Sequence, residues 1–423
     1  MSTQNFKRTK LACYAAYFTM SSVFCLPPLL FVTFQNTFNI SYTLLGTLIL
    51  VNFCTQLSID LIFSAFSKKF NTKWIVRIMP LVTSFGLVIY ALIPTLFPNI
   101  AYLGLLIGTI IFSVASGLSE VLLSPTIAAI PSDNPQRDMS ALHSLYAFGV
   151  FFVVVVSTIF LKIFSAQNWA WLVILFALFP IIASVLFLTS PIPNFGGENS
   201  SSSTPKPKSN HTVLALCVAC IFFGSCAENA MSNWVSSFME TALHIDKSLG
   251  DILGLAMFAI LLGLTRILYA RFGKNICKTL LFGMIGATIC YVIVGLSPYT
   301  VLSFVACVLT GAFTAMLWPG SLIMMEEKMP SIGVGAYALM AAGGDLGASV
   351  SPQLLGIVTD TVASSSFGAN LGATFGLTAE QIGLKIGMLT TAFFPFVGII
   401  IVLIIMKKLS NKKQNKPTPL KEI

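Results

Sequence analysis

Charged residues are scarce in this sequence. Asp, Glu, Lys and Arg make up 9% of its 423 residues and hydrophobic residues make up 56%, whereas soluble domains carry about 25% charged residues. A soluble fold cannot bury so much apolar surface, so the composition excludes one. At about 20 apolar residues per crossing, the length allows roughly twelve membrane-spanning helices and leaves little chain for a soluble domain.

The residues that build most metal and catalytic sites are also sparse. The three histidines, His143, His211 and His244, fall in separate segments, and the nine cysteines lie almost wholly inside apolar runs, where we interpret them as small core residues. The sequence contains no Gly-x-Ser-x-Gly elbow, no His-Glu-x-x-His pair and no phosphate-binding glycine loop. We therefore predict that the chain is not an enzyme and that it holds no metal or cofactor.

Apolar segments divide the chain into two halves of six. The first half, residues 1–190, ends at a Ser-, Pro-, Gly- and Lys-rich stretch, residues 191–211, which we interpret as a cytoplasmic linker. The second half covers 212–407, and a basic cytoplasmic tail covers 408–423. The pattern predicts an all-α membrane protein with two pseudo-symmetric six-helix halves. Its spans lie near residues 11–34, 42–66, 74–96, 100–130, 138–165, 169–190, 212–240, 248–272, 276–297, 299–326, 332–360 and 379–407.

The distribution of basic residues predicts the orientation of these spans. With the N-terminus in the cytoplasm, all but four of the 24 Lys and Arg residues fall in cytoplasmic stretches, the exceptions being Lys162, Lys247, Arg266 and Lys385. Both termini are therefore expected on the cytoplasmic side of a cell membrane. In a soluble protein a net charge of +9 would suggest nucleic acid, but here the distribution of Lys and Arg matters more than their sum. We therefore expect a lipid bilayer as the partner and no nucleic acid. We expect a monomer.

The two halves share sequence features beyond their number of spans. In the fourth span Gly117 precedes Pro125 by eight residues, and in the tenth Gly311 precedes Pro319 by the same interval. Weak internal symmetry of this kind is typical of transporters whose substrate lies between two parallel repeats. The sequence therefore predicts a duplicated architecture.

Ionisable side chains inside the spans are candidates for function, because a charge costs at least about 2.5–3.5 kcal/mol at the centre of a membrane helix. Glu120 lies in the middle of the fourth span, within SGLSEVLLSPTIAAI. It is a candidate proton carrier, and the alternative is a neutral carboxyl bonded to a neighbouring helix. For His143, at the start of the fifth span, the sequence leaves two roles open: relay of a proton, or a hydrogen bond to a backbone carbonyl.

The seventh span carries a polar stripe. Ser225, Glu228, Asn229 and Ser232 fall on one helical face by their spacing, and such a face suits a hydroxylated ligand. Trp234 follows about a turn and a half later. Its indole ring either stacks on a sugar or lies at the membrane interface, and the spacing does not decide between these roles.

Five further charged residues complete the candidate site. Asp345, within the glycine-rich AAGGDLGASVSP, is a substrate-site or gate candidate, with helix packing as the alternative. Arg266 either snorkels to the interface or pairs with an acid. Asp60, Lys69 and Arg271 are expected to join Arg266 in gating at the cytoplasmic ends of the spans.

The chain resembles the major facilitator superfamily along its whole length. The resemblance rests on the twelve spans, the central linker and the basic turns after the second and eighth spans. The superfamily's loop motif is present in degraded form, through Lys69, Asn71 and Lys73 in the first half and Arg271 and Gly273 in the second.

More narrowly, the sequence resembles the fucose/glucose:proton symporter group. In the fourth span Glu120 stands five residues before Pro125. The seventh span has the pair Ala227-Glu228 with Trp234 after it, and the tenth has the pair Trp318-Pro319. The resemblance implies that Glu120 couples a proton to transport. The first-span acid of that group has no counterpart in SSVFCLPPLLFVTF.

These observations predict a secondary transporter that moves a small polar, sugar-like solute by alternating access, with a proton or sodium as the coupling ion. Two alternatives use the same scaffold. One is an exporter of amphipathic compounds, favoured by the Phe-rich spans. The other is a membrane sensor that binds a solute without moving it.

Overall fold

The computed structural model describes residues 6–66, 70–133, 135–193, 211–329 and 334–414. The regular structure that these residues form is entirely helical and follows the twelve predicted segments. In the first half, spans 1 to 6 are Lys7–Leu29 continued by Phe31–Phe38, Tyr42–Phe66, Thr72–Leu96, Ala101–Ala128, Pro135–Phe164 and Trp169–Leu188. The all-α prediction with two six-helix halves is confirmed.

In the second half each of four spans is built from more than one helical piece. Span 7 is His211–Ser237 with the π-helix Phe238–Ala242; span 8 is Lys247–Leu249, the π-helix Gly250–Ala256 and Met257–Phe272; span 9 is Ile276–Leu296; span 10 is Thr300–Thr314 and Leu317–Lys328; span 11 is Val334–Ala363; span 12 is Ala379–Thr391 and Phe393–Gln414. A short helix, Ser366–Phe375, joins spans 11 and 12. Most of the predicted linker, 194–210, and the tail from 415 onward lie outside the described residues.

Length and hydropathy support the membrane assignment of these helices. Within the described ranges, 10 helical stretches are long and apolar enough to cross a bilayer, and span 5 contributes the shorter apolar stretch Phe148–Phe164. Many large apolar side chains point outward, among them Phe85, Phe148 and Phe282. Outward apolar surface is expected where lipid surrounds the protein.

The packing repeats from one half to the other. In the first half, span 1 packs on spans 5 and 6, span 2 packs on span 4, and span 3 packs on spans 4 and 6. The second half repeats these contacts with each number raised by six: span 7 packs on spans 11 and 12, span 8 packs on span 10, and span 9 packs on spans 10 and 12. Gly117 of span 4 lies against Gln56 and Ile59 of span 2, and Gly311 of span 10 lies against the Phe258 backbone of span 8. The repeated glycines thus let equivalent helices approach closely in each half.

Prolines interrupt the helices at two places near the bundle interior. Span 1 changes direction at Leu30, directly after Pro27 and Pro28. Span 10 breaks between Thr314 and Leu317, and Pro319 follows the break. A proline has no backbone N–H, so the carbonyl four residues earlier loses its helical partner. In span 10 that carbonyl belongs to Ala315.

Candidate functional site

Spans 2 and 11 join the two halves at the end of the bundle opposite the termini, here called the far end. The backbone N–H groups of Tyr42 and Thr43, at the start of span 2, donate to the two carboxylate oxygens of Asp360 at 3.0 and 2.6 Å. The first N–H groups of a helix lack partners within that helix. A carboxylate from the other half therefore caps span 2 and also meets the positive end of its dipole.

A second carboxylate strengthens this closure. Glu380, at the start of span 12, accepts hydrogen bonds from the Tyr42 hydroxyl and the Gln35 amide, both at 2.7 Å through Oε1. Together Gln35, Tyr42, Thr43, Asp360 and Glu380 form what we call the far-end latch. Its four hydrogen bonds all run between the first half and the second, so the latch holds the halves together at this end.

Trp234 lies directly beneath the latch and is fully buried. Its indole N–H donates to the Pro352 carbonyl of span 11 at 3.0 Å. Its ring packs at 5.3 Å from Phe31 and 5.6 Å from Tyr42, measured between centroids. In this conformation the ring fills the contact between the halves, so it lies neither at the membrane interface nor against an open cavity.

Three carboxyls from both halves meet nearer the other end, where the termini lie and which we call the near end. Asp60 of span 2, Glu120 of span 4 and Asp345 of span 11 are close enough to interact electrostatically, and Glu120 also interacts with Tyr17 of span 1. Asp345 is 8% exposed and the Oδ1 atom of Asp60 is buried, yet neither residue has a hydrogen bond or ion pair with any described residue. The side chain of Glu120 is exposed. We call these three carboxyl residues the acidic trio.

Close helix packing explains why these side chains converge. Gly117 lies against Gln56 and Ile59, which brings Glu120, one turn further along span 4, to the level of Asp60. In span 11, Gly344 lies against the Trp318 ring and Gly347 against the Phe222 backbone, so Asp345 sits where span 11 is packed tightly. The sequence predicts Asp60 to act with the basic loop that follows it, and residues 67–69 of that loop lie outside the described residues, so this role stays a prediction. Asp60 interacts electrostatically with Glu120 and Asp345.

Glu228 and Arg266 form a separate polar centre inside the second half. Arg266 Nη2 lies 3.5 Å from Glu228 Oε1, and Arg266 Nε donates to the Ala315 carbonyl at 2.9 Å. This carbonyl is the one that Pro319 leaves without a helical partner. Arg266 therefore ties spans 7, 8 and 10 together, and of the two predicted roles it takes pairing with an acid. Its side chain remains 42% exposed.

The other residues of the predicted stripe bond mainly along their own helix. The Asn229 amide donates to the Ser225 carbonyl at 3.1 Å and to its hydroxyl at 3.2 Å, and the Ser232 hydroxyl donates to the Asn229 carbonyl at 3.3 Å. Ser225 is buried, whereas Glu228, Asn229 and Ser232 are half-buried. The stripe thus offers a ligand Glu228, Asn229 and Ser232 more readily than Ser225.

Three predicted site residues remain, namely Lys69, His143 and Arg271. Lys69 lies outside the described residues, and so does the side chain of His143, whose backbone belongs to span 5. Arg271 is exposed at the end of span 8, with its guanidinium 5.4 Å from the centre of the Phe272 ring. Their predicted roles stay predictions.

Sequence reasoning missed the far-end latch. Asp360 and Glu380 stand near the ends of apolar segments, where an acid is usually solvated, so their position alone gives no signal. The one available hint is that the loop between spans 1 and 2 is very short, Asn39 to Ser41, which brings Gln35 and Tyr42 close together. Only the packing of spans 2 and 11 shows which acids they meet.

An apolar groove runs beside the polar centres. Spans 7 and 11 border an open groove of about 520 Å³ toward the near end. Apolar side chains line most of it, among them Leu214, Val218, Phe222, Leu339 and Leu346. Such a lining suits a hydrocarbon group better than a hydroxylated one.

Comparisons with known proteins agree with this architecture. The sequence model described as Major Facilitator Superfamily matches residues 12–352. Among solved structures, a bacterial homologue of the human lysosomal transporter Spinster, inward-facing and occupied, is 14% identical with a TM-score of 0.73, covering 97% of this chain and 98% of its own. A D-xylose–proton symporter is 14% identical with a TM-score of 0.70, covering 92% and 96%.

A nucleoside transporter, NupG, is 14% identical with a TM-score of 0.62, covering 93% of this chain and 98% of its own. No curated protein matches the chain. The similar structures are transporters of chemically different solutes, so they define the scaffold and leave the solute open. The chain is a multi-pass membrane transporter, not an enzyme, and it belongs to the Major Facilitator Superfamily.

Proposed function

We propose that this protein is a proton-coupled symporter of a small polar, sugar-like solute in the cell membrane. The observation that carries the proposal is the position of Glu120, which is exposed and lies within electrostatic reach of Asp345 from the other half. A carboxyl that interacts with an acid of the other half, where that acid has no hydrogen-bonding partner among the described residues, suits a group that gains and loses a proton during the cycle. The resemblance of the fourth span to the fucose/glucose symporter group supports the same role.

The solute binds beside the Glu228–Arg266 pair in this proposal. A carboxylate and a guanidinium, both partly exposed, present acceptors and donors in fixed positions to hydroxyl groups. Asn229 and Ser232 lie on the same helix and extend the polar surface. Asp345 was also a candidate for this site; we propose that it acts beside Glu120, with which it interacts electrostatically.

The far-end latch supports alternating access from the cell exterior. By the distribution of basic residues, the far end is extracellular and the near end cytoplasmic. The latch holds the far end closed, so this conformation faces the cytoplasm. A structure similar to this chain is that of a D-xylose–proton symporter, which is consistent with a sugar and a proton as partners.

Uptake into proteoliposomes tests the proposal. A panel of monosaccharides is offered with and without an inward proton gradient, to the unmodified protein, to Glu120→Gln and to the control Asp246→Asn, which removes an exposed acid at the far end. We expect gradient-driven accumulation of at least one sugar, lost in Glu120→Gln with exchange retained and unchanged in the control. Accumulation that persists in Glu120→Gln contradicts the coupling role.

The apolar groove favours a second function, the export of amphipathic compounds. Its volume of about 520 Å³ accommodates a drug-sized hydrocarbon group. Expression in a strain that lacks its own exporters distinguishes the two functions, because an exporter raises resistance to amphipathic toxins and a sugar importer does not. Solute binding without flux in either assay would indicate a sensor.

A further inference from the structure

The acidic trio combines three properties that a purely structural cluster does not need. Its carboxyls come from both halves, two from spans 2 and 4 and one from span 11. Asp345 is more than nine-tenths buried, and neither it nor Asp60 has a hydrogen-bonding partner or basic partner in the described parts of the chain. A buried carboxylate without a partner is strongly unfavourable while charged, so we expect Asp345 to bind a proton when nothing else neutralises it.

The position of the trio along span 11 relates it to the latch. Asp345 precedes Asp360 by fifteen residues, which corresponds to about 22 Å along a helix. The latch closes the far end, and the trio lies toward the opposite, near end. A rocking motion that breaks the latch and closes the near end brings Asp345 closer to Asp60 and Glu120.

Repulsion between the carboxylates opposes that motion. Coulomb energy rises as separation falls, and it rises most where little water remains. Closing the near end both shortens the separations and removes water. Charged, the three groups therefore hold the near end open; protonated, they let it close.

We propose that Asp60, Glu120 and Asp345 form one proton-loading site shared by both halves, and that protonation of this site permits the near end to close. The proposal rests on the proposed proton coupling and extends it from Glu120 to an acid of the second half. In this proposal the protonation state of Asp345 determines whether span 11 can move toward spans 2 and 4.

Most of the described ionisable groups on neighbouring spans contact residues outside the acidic trio. Span 1 presents Tyr17 to Glu120, and Glu228 of span 7 is paired with Arg266 of span 8. Lys10 of span 1 pairs with Asp138 of span 5. Lys385 of span 12 donates to the Ser297 carbonyl at 2.8 Å. In span 3, Lys73 has a partner and the guanidinium of Arg77 lies 5.9 Å from the centre of the Trp74 ring. The side chain of His143 in span 5 is not described.

Distance measurements between the near ends of the halves test the proposal. Spin labels are placed at Asp133→Cys and Glu327→Cys, both exposed, in a background from which the native cysteines are removed, and the full chain is reconstituted in lipid nanodiscs without solute. Distance distributions are recorded from about pH 5 to about pH 9, a range wide enough to change the charge of carboxyl groups in varied surroundings. We expect the short-distance population to grow as the pH falls.

The variants decide which acids are responsible. Asp345→Asn should move the midpoint upward by about one pH unit, because one fewer charge has to be neutralised. The triple variant Asp60→Asn, Glu120→Gln, Asp345→Asn should have a distribution that no longer depends on pH, and Asp246→Asn should match the unmodified protein. A midpoint that Asp345→Asn leaves unchanged, or a pH response that survives in the triple variant, overturns the proposal.

This experiment is independent of the transport assay. If the unmodified protein accumulates no sugar under a proton gradient, the proposed function fails, whatever the labels report. If accumulation depends on Glu120 but Asp345→Asn leaves the pH dependence of the label distances unchanged, the proposed function stands and the shared site fails.

Discussion

Asp360 of span 11 caps the N-terminus of span 2, accepting from the amides of Tyr42 and Thr43 across the boundary between the two halves. A carboxylate at a helix N-terminus contributes about 0.5–2 kcal/mol through its hydrogen bonds and its charge. In this protein that free energy does not stabilise the helix alone. It stabilises the closed far end relative to the open one.

Asp360→Ala should therefore shift the protein toward the conformation that is open at the far end. A loss of about 2 kcal/mol corresponds to roughly a thirtyfold change in the population ratio. Spin labels at Thr37→Cys and Thr374→Cys, both exposed at the far end, measure the change, because the distance between them is longer in the conformation that is open there. Asp360→Asn should produce a smaller shift, because the amide oxygen still accepts. Equal distributions for all three proteins would show that the cap does not hold the halves together.

Trp234→Phe should have a modest effect on the same distances. The phenyl ring preserves most of the packing against Phe31 and Tyr42 but loses the hydrogen bond to Pro352, at a cost of about 1 kcal/mol. Trp234→Ala also leaves a cavity and should cost about 3–5 kcal/mol. If the indole binds solute instead, Trp234→Phe will raise the KM for uptake while leaving the far-end distances unchanged.

Arg266→Lys should destabilise the second half by about 1–3 kcal/mol. A lysine can still reach Glu228, but it cannot also bond the Ala315 carbonyl, which is then left without a donor. Thermal unfolding in detergent should show a lower Tm. Adding Pro319→Ala restores a backbone N–H to that carbonyl, so the double variant should recover part of the loss. Strictly additive effects of the two substitutions would contradict this coupling.

Gly311→Ala should lower the Tm more than Gly117→Ala. A methyl group at 311 collides with the Phe258 carbonyl, whereas at 117 its nearest neighbours, Gln56 and Ile59, lie 3.2 Å away. Gly263→Ala is the control, because nothing lies within 4 Å of an added methyl group there. That control should be neutral or stabilising by up to about 1 kcal/mol, since alanine favours a helix interior.

Hydropathy and charge predict much of this architecture because both reflect the surrounding solvent. The segments near 42–66 and 276–297 coincide closely with Tyr42–Phe66 and Ile276–Leu296. Span 1 fits less well. It is predicted as 11–34, whereas the structure has Lys7–Leu29 and Phe31–Phe38, because polar residues at each end and the Pro27–Pro28 break obscure its limits.

The site is less predictable, because it depends on how each helix is rotated against its neighbours. Glu120, Asp345 and Asp60 each stand out as charges in apolar segments, but nothing in their spacing indicates that they meet. The contact between Arg266 and the Ala315 carbonyl is easier to predict in part. The Gly311–Pro319 interval marks the break in span 10, and a freed carbonyl at Ala315 follows from the chemistry of proline, although its donor becomes evident only from the packing of span 8.

The latch places unequal demands on the residues that form it. On span 2 the groups that Asp360 binds are backbone amides, which every residue except proline supplies, so the side chain of Thr43 is free to vary without weakening that bond. On span 11 a specific carboxylate is required. Relatives of this protein can thus differ at position 43 and still keep this cap, and a conserved acid on span 11 opposite a variable position 43 would be the trace of the cap in their sequences.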